Sequence, residues 1–156
     1  MLVLRPTPHP DQSLSLNNLA NVFFTWFNWK GHLEDLDEAV MVHCQALKLH
    51  SVTHPDQSTS LSNLANALST QFEQTGEIED INEAVALHYQ ALKLLPVPNP
   101  DWYMSLAHLA KLLSTRFGQT GQIADLDMAI TLFHDALGLL FFARDITKSG
   151  FAFHFE

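Results

Sequence analysis

The sequence predicts an all-α fold in which three helical hairpins stack into an α-solenoid, and three observations support this prediction. The pentapeptide HPDQS occurs at His9 and again at His54, and the related NPDWY follows at Asn99, so the offset is 45 residues both times. The first two copies are identical at 26 of 45 positions. Within each copy, apolar residues recur with the 3.6-residue period of amphipathic helices. Repeats of this length are typical of solenoids, whose units bury their apolar faces by stacking.

The repeat divides the chain into residues 9–53, 54–98 and 99–142, with short segments on either side. The first segment, 1–8, reads MLVLRPTP and matches the ALKLLPVP that closes the second copy, so we interpret it as the remnant of a preceding repeat helix. We expect 143–156 to form an irregular tail, because it supplies no polar capping helix of the kind that terminal repeats need. The last helix is then expected to leave an apolar face uncovered.

The second copy shows the helical pattern most clearly. Its first helix is predicted to begin at Pro55, where proline loses no hydrogen bond, and to end at Gly76 in a QTG turn that returns at Gly121. Its second helix is predicted to stop before Pro96. The apolar positions of the first helix are spaced three, one, three and four residues apart: Leu61, Leu64, Ala65, Leu68 and Phe72.

Small residues mark the positions where helix backbones are predicted to approach closely. They recur on the first helices at Ala20, Ala65 and Ala110, and on the second helices at Ala39, Ala46, Ala84, Ala91, Ala129 and Ala136. Acidic residues cluster in the first turns of the second helices, where carboxylates complement the helix dipole. We interpret these acids as solvated surface rather than as a metal or substrate site.

These residues together resemble the tetratricopeptide repeat (TPR). The match to the first helix of the family is carried by Leu61, Leu64, Ala65 and Leu68. The match to the second helix is carried by Ala84, His88, Ala91 and Pro96, with His88 in place of the usual aromatic residue. The unit is 45 residues long where the family has about 34. The wording looks most like kinesin-light-chain-type repeats and the arrays of filamentous and mushroom-forming fungi, which often precede a caspase-like (CHAT) peptidase domain. The resemblance implies a right-handed solenoid.

Composition excludes several classes of function. The formal charge is −9 with only eight Lys and Arg, which argues against nucleic acid as a partner, because phosphate binding needs clustered basic residues. No stretch approaches the roughly 20 apolar residues of a membrane span. The single cysteine, Cys44, cannot form an intramolecular disulfide, so a reducing, cytoplasmic location is expected. Its counterpart in the second copy is Tyr89, which indicates a packing position and an inert thiol.

The histidines and Cys44 do not form a recognisable catalytic or metal site. Four of the nine histidines are two pairs created by repetition, and equivalent positions in stacked hairpins lie about 8–10 Å apart, too far to ligate one ion. There is no HExxH, GxSxG or glycine-rich phosphate loop. His43 and Cys44 are neighbours on one helix, so their side chains diverge. We therefore predict no enzyme activity, no metal and no cofactor.

The TPR resemblance does imply a binding surface, because first helices in this family line a groove that contacts bound peptides. The positions assigned in this way are Asn17, Asn18, Asn21, Asn63, Asn66, His108 and Lys111. Asparagine offers donors and an acceptor, so a row of it can hold an extended peptide backbone. Two interpretations stay open here: the row binds a peptide, or its asparagines form structural hydrogen bonds between neighbouring repeats.

We therefore predict a non-catalytic scaffold that binds a protein or peptide segment. One alternative is a piece of the sensor array of a larger enzyme, such as a caspase-like peptidase or a nucleotide-binding switch. Another is a structural element that self-associates through uncapped terminal repeats. In the first copy, Phe24, Trp26 and Trp29 replace polar residues of the second copy, and this apolar patch is either a partner site or the seam for a preceding repeat.

Overall fold

The computed structural model describes residues 11–49, 56–95 and 100–150 as six α-helices, and no strand occurs in these ranges. The helices are α1 (Gln12–Lys30), α2 (Leu33–Leu49), α3 (Gln57–Thr75), α4 (Ile78–Leu94), α5 (Pro100–Thr120) and α6 (Ile123–Gly150). The prediction of an all-α fold built from consecutive helix pairs is thereby confirmed. No helix within the described ranges is long and apolar enough to cross a membrane.

Each helix pair is joined by a short connection that opens with a glycine in the left-handed conformation. The φ angles of Gly31, Gly76 and Gly121 are 72°, 75° and 69°. Each glycine N–H donates a hydrogen bond to the carbonyl of a phenylalanine four residues earlier, at distances of 2.7, 2.8 and 2.8 Å. A single bond of this kind closes the last turn of a helix, and glycine adopts the required φ without steric cost. The predicted ends at Gly76 and Gly121 are confirmed.

The Gly76→Ala substitution is expected to lower the free energy of unfolding by about 1–2 kcal/mol, because a β-carbon is strained at a φ of 75°. The matched control is Gly118→Ala, which lies inside α5 with open space around its α-carbon. That change is expected to stabilise the protein by about 0.5–1 kcal/mol, because alanine is the better helix former. Urea unfolding of both variants measures the two free energies of unfolding. Changes of equal size in the same direction would contradict the prediction.

The chain forms two compact units, residues 1–87 and 88–156, and the boundary lies within α4. In the first unit α1 packs on α2, and α3 packs on α2 and contacts α1. Asn17, early in α1, contacts His43, late in α2, so these two helices are antiparallel. The apolar residues of this unit that are at most 2% exposed are alanine or aliphatic: Ala20, Leu36, Ala39, Ala46, Leu61, Leu64, Ala65, Ala67, Ile81 and Ala84. All nine alanines predicted at close helix approaches are buried, across both units.

The second unit contains the packed pair α5 and α6. An ion pair joins them: the guanidinium of Arg116 on α5 donates from Nε and Nη2 to the two carboxylate oxygens of Asp125 on α6, at 2.8 and 2.7 Å. Asp125 is buried. Its carboxylate also lies in the first turn of α6, where the helix dipole favours a negative charge.

Of the two predicted terminal segments, the structure describes only part of the second. Residues 1–8, interpreted as a helix remnant, lie outside the described residues, as do Pro55, Pro96 and 151–156. Helix α6 continues through 143–150, where we expected an irregular tail. The sequence offers a reason, since no proline occurs between Ile123 and Gly150 to interrupt the helix. The equivalent of Pro55 in the third copy, Pro100, is the first residue of α5.

Candidate functional site

Four asparagines of the predicted binding row lie at two equivalent pairs of positions in the first unit. Asn18 and Asn21 are exposed on α1, and Asn63 and Asn66, each 45 residues later, are half-buried on α3. Their side-chain amides make no hydrogen bond to other described residues. Each pair is spaced three residues apart, so its two amides lie on one helix face. The unit therefore presents unbonded amide groups at the same place on two helices that contact each other.

The threonines one turn further along do not add to this row. The hydroxyl of Thr25 donates to the backbone carbonyl of Asn21 at 2.8 Å, and that of Thr70 donates to the carbonyl of Asn66 at 3.0 Å. The second unit repeats the bond between Thr115 and the carbonyl of Lys111, at 3.0 Å. Because these hydroxyl protons are used within the helix, the asparagine amides are the available donors.

Asn17 differs from its neighbours, because it is buried, with 6% of its surface exposed. Its Nδ2 donates to the hydroxyl of Ser60 on α3, and its Oδ1 lies 3.0 Å from Nδ1 of His43 on α2. One side chain thus joins α1, α2 and α3. This is the bonding between neighbouring repeats that the alternative interpretation predicted, and we leave Asn17 out of the binding surface.

The hydrogen bonds of Asn17 also determine which ring nitrogen of His43 carries the proton. Since the amide nitrogen donates to Ser60, the amide oxygen accepts from His43, which places the imidazole proton on Nδ1. His43 is 1% exposed, and burial lowers its pKa from 6.5 to about 4. The imidazole is therefore neutral at pH 7.

The two predicted site residues of the second unit, His108 and Lys111, are exposed on α5. The ring of His108 lies edge-on to that of His88, with centroids 6.1 Å apart. His88 is 1% exposed, and neither ring nitrogen has a hydrogen-bond partner within the described part of the chain. Burial, and secondarily the charge of His108, lower the pKa of His88 from 6.5 to about 4. His88 is thus a neutral core residue.

The aromatic patch predicted on α1 is present in part. Trp26 and Trp29 are 46% and 79% exposed, whereas Phe24 is half-buried. A cleft of about 290 Å³ beside Trp26 is lined by Val22, Phe23, Trp26 and Asp35. The ammonium of Lys30 lies 3.8 Å from the ring centroid of Trp26, within the range of a cation–π contact. Sequence reasoning missed Val22 and Phe23, although both are larger than their counterparts, Ala67 and Leu68.

The described residues hold no group of three or more His, Cys, Asp or Glu side chains placed to bind a metal. Cys44 is half-buried, and its pKa is raised by burial and then by the charge of Glu83, while Lys48 opposes the shift. A raised pKa keeps the thiol protonated at neutral pH and therefore poorly nucleophilic.

Comparison of the chain with models of known protein families finds no match, and comparison with curated proteins finds no significant match.

Proposed function

We propose that this chain is a non-catalytic interaction module of the TPR type, and that its first unit binds an extended peptide through Asn18, Asn21, Asn63 and Asn66. The burial of the residues that carry the TPR resemblance supports this proposal: Leu61, Leu64, Ala65, Leu68, Ala84, His88 and Ala91. The finer architecture, a right-handed solenoid with a 45-residue period, rests on the sequence repeat and the resemblance and is part of the proposal.

The observation that carries the proposal is the pairing of two equivalent, unbonded amide pairs on contacting helices. Asparagine is a mediocre helix former, so its presence at four surface positions of two helices is not explained by helix stability. Asn17 shows the alternative, because an asparagine that supports packing in this unit is buried and bonded. The other four asparagines are exposed or half-buried, and their amides make no hydrogen bond to a described residue.

The chemistry of the row indicates the class of ligand. A carboxamide donates and accepts, so it pairs with both the N–H and the C=O of an extended backbone without selecting side chains. All four positions hold neutral amides, so the row offers no positive charge with which to bind a terminal carboxylate. The formal charge of −9 favours association with neutral or basic segments over acidic ones. We therefore propose an extended, non-acidic peptide as the ligand.

The experiment is a peptide-display selection on the whole chain, followed by affinity measurement on the variant with Asn18, Asn21, Asn63 and Asn66 changed to alanine. Selected peptides are expected to bind the variant at least tenfold more weakly, because each lost hydrogen bond contributes about 0.5–1.5 kcal/mol. Gln45→Ala, which removes an exposed amide from α2, is the matched control and is expected to leave the affinity unchanged. Equal affinities for all three proteins, with intact helical circular dichroism, would refute the proposed surface.

A further inference from the structure

Two helices of the chain carry an apolar row that is largely exposed. On α1, the row consists of Leu19, Val22, Phe23 and Trp26, called the α1 row below. On α6, it consists of Leu126, Ile130, Phe133 and Leu137, called the α6 row below. Three members of each row are 42% to 52% exposed. Contiguous apolar surface of this kind usually marks an interaction site.

The α1 row has a covered counterpart within the same chain. The residues 45 positions after Leu19 and Val22 are Leu64 and Ala67 on α3, and these are 2% and 1% exposed, against 44% and 52% for the α1 pair. Helix α3 packs on α2, and Gln71, one turn further along the same face, donates a hydrogen bond to Asp37 of α2. The α1 row is therefore equivalent in sequence to a face that the chain covers with a second helix.

The α6 row likewise has a covered counterpart, on α2. The equivalents of Leu126 and Phe133 are Leu36 and His43, which are 0% and 1% exposed, whereas Phe133 is 42% exposed. The other buried row of α2 does not show this contrast. Its members Ala39, Val42 and Ala46 and their α6 equivalents, Ala129, Leu132 and Ala136, are all buried. Helix α2 packs on both α1 and α3, whereas α6 packs on α5.

We propose that the α6 row of one molecule packs against the α1 row of a second copy of this chain. The contact would repeat the α2–α3 contact between molecules, since α6 is the sequence equivalent of α2 and α1 is the sequence equivalent of α3. The occupant of each row is therefore another copy of the same chain rather than an unrelated protein. Neither row contains a residue of the proposed peptide surface.

Charge complementarity at the edge of the contact supports a second copy as the occupant. Within the first unit, Gln71 on α3 donates from Nε2 to Oδ1 of Asp37 on α2 at 2.8 Å. The equivalent of Gln71 on α1 is Trp26, whose ring carries the ammonium of Lys30 at 3.8 Å. The equivalent of Asp37 on α6 is Asp127, which is exposed. Packing α6 on α1 in the α2–α3 manner therefore brings a Lys30 ammonium to an Asp127 carboxylate.

The contact joins two different surfaces, so each molecule that binds through one row still offers the other. Assembly of this heterologous kind continues beyond a dimer unless it closes into a ring. The expected behaviour of the whole chain is an average mass that rises steadily with protein concentration.

The test uses two variants that each block one row: Trp26→Glu blocks the α1 row, and Ile130→Glu blocks the α6 row. By sedimentation velocity each variant alone is expected to stay monomeric, whereas an equimolar mixture of the two forms a heterodimer through the two intact rows. Met41→Glu, at a residue of α2 that is 47% exposed, matches Trp26 in exposure and is expected to assemble like the parent. Helical circular dichroism establishes that each variant is folded.

A second measurement tests the predicted register. Lys30→Glu and Asp127→Lys are each expected to weaken assembly about two- to fivefold, the range of an exposed ion pair, and a mixture in which the two charges face each other again is expected to recover it. In a Cys44→Ser background, Lys30→Cys mixed with Asp127→Cys is expected to form a disulfide-linked dimer. A parent that is monomeric at all concentrations would overturn the proposal and leave the rows to another partner. Assembly that survives both row variants, or a mixture that stays monomeric, would overturn it as well.

Discussion

Acidification from pH 7 to about pH 4 is expected to lower the free energy of unfolding by several kcal/mol, because two buried histidines resist protonation. Burial lowers the pKa of His43 and of His88 from 6.5 to about 4, and His108 adds to the shift at His88. A depressed folded-state pKa means that the stabilisation is complete above pH 6.5 and is lost as the pH falls toward 4. At about 1.4 kcal/mol per unit of pKa difference, each histidine contributes at most about 3 kcal/mol.

One carboxyl group acts in the opposite direction. The pKa of Asp80 is raised, first by burial and then by the neighbouring charges of Glu77, Glu83, Glu79 and Asp37. The folded protein therefore binds a proton at Asp80 more readily than the unfolded chain, and acidification through this range stabilises the fold. Because Asp80 is only half-buried, this gain is expected to be smaller than the loss from the two histidines.

The matched variants are His88→Phe and His43→Phe, each followed by urea unfolding across this pH range. Either change is expected to remove about half of the acid sensitivity. At pH 7 the two substitutions are expected to change the free energy of unfolding in opposite directions. Phenylalanine at 88 stabilises the protein, because it replaces ring nitrogens that lack a partner in the described structure, whereas phenylalanine at 43 leaves Oδ1 of Asn17 without its donor and costs about 1–3 kcal/mol. A pH dependence that is the same in the parent and in both variants would disprove the assignment.

The helices and their ends were predictable because they depend on local chemistry. Glycines 76 and 121 adopt the left-handed conformation that their position after an apolar periodic segment predicts. The alanines predicted at helix approaches are buried. They were predictable because a small residue that recurs every 45 positions indicates a place where a larger side chain does not fit. The extent of α6 depended on a weaker signal. No proline follows Ile123 to end the helix, and this absence is compatible with the length of α6.

The role of Asn17 was less predictable, because Asn17 and Asn18 are the same residue type at adjacent positions. A shift of one residue on a helix turns a side chain by about 100°, which here separates the core from the solvent. A signal was present in the repeat itself. Asn18 and Asn21 return as Asn63 and Asn66, whereas Asn17 returns as Ser62. An asparagine that does not repeat was the better candidate for a specific contact with His43 and Ser60.

The side-chain contacts between helices differ from repeat to repeat and could not be predicted. Equivalent positions in the three copies hold different residues. Arg116 occupies the repeat position of Gln71 and Trp26, and Asp125 that of Asp80 and Asp35. In the third copy the two positions form an ion pair, in the first they line a cleft, and in the second Gln71 instead binds Asp37. Which of these contacts forms depends on side-chain length and charge at both positions.

Replacing Asp125 with asparagine is expected to lower the free energy of unfolding by about 2–3 kcal/mol. Breaking a buried ion pair typically costs about 3–5 kcal/mol, and the 20% exposure of the Arg116 side chain reduces that figure by hydrating the remaining charge. The guanidinium makes two parallel hydrogen bonds to the carboxylate, which neutral asparagine cannot accept in the same way. Asp135→Asn, an exposed position on the same helix, is expected to change stability by less than about 0.5 kcal/mol.

A double-mutant cycle with Arg116→Gln isolates the pair from other effects of each change. The coupling is expected to favour the intact pair, because the bond to Arg116 holds the pKa of Asp125 below its usual value. Because the pKa of Asp125 is lowered by folding, the ion pair stabilises the folded state only where the carboxyl group is ionised. The stabilisation is complete above the unfolded pKa of 3.8 and is lost as the pH falls below it, so at pH 7 the coupling is at its full value. The acid loss from the two histidines begins at higher pH, near 6.5, so the two effects separate along the pH axis. A coupling near zero at pH 7 would mean that α5 and α6 are held by their apolar contacts alone.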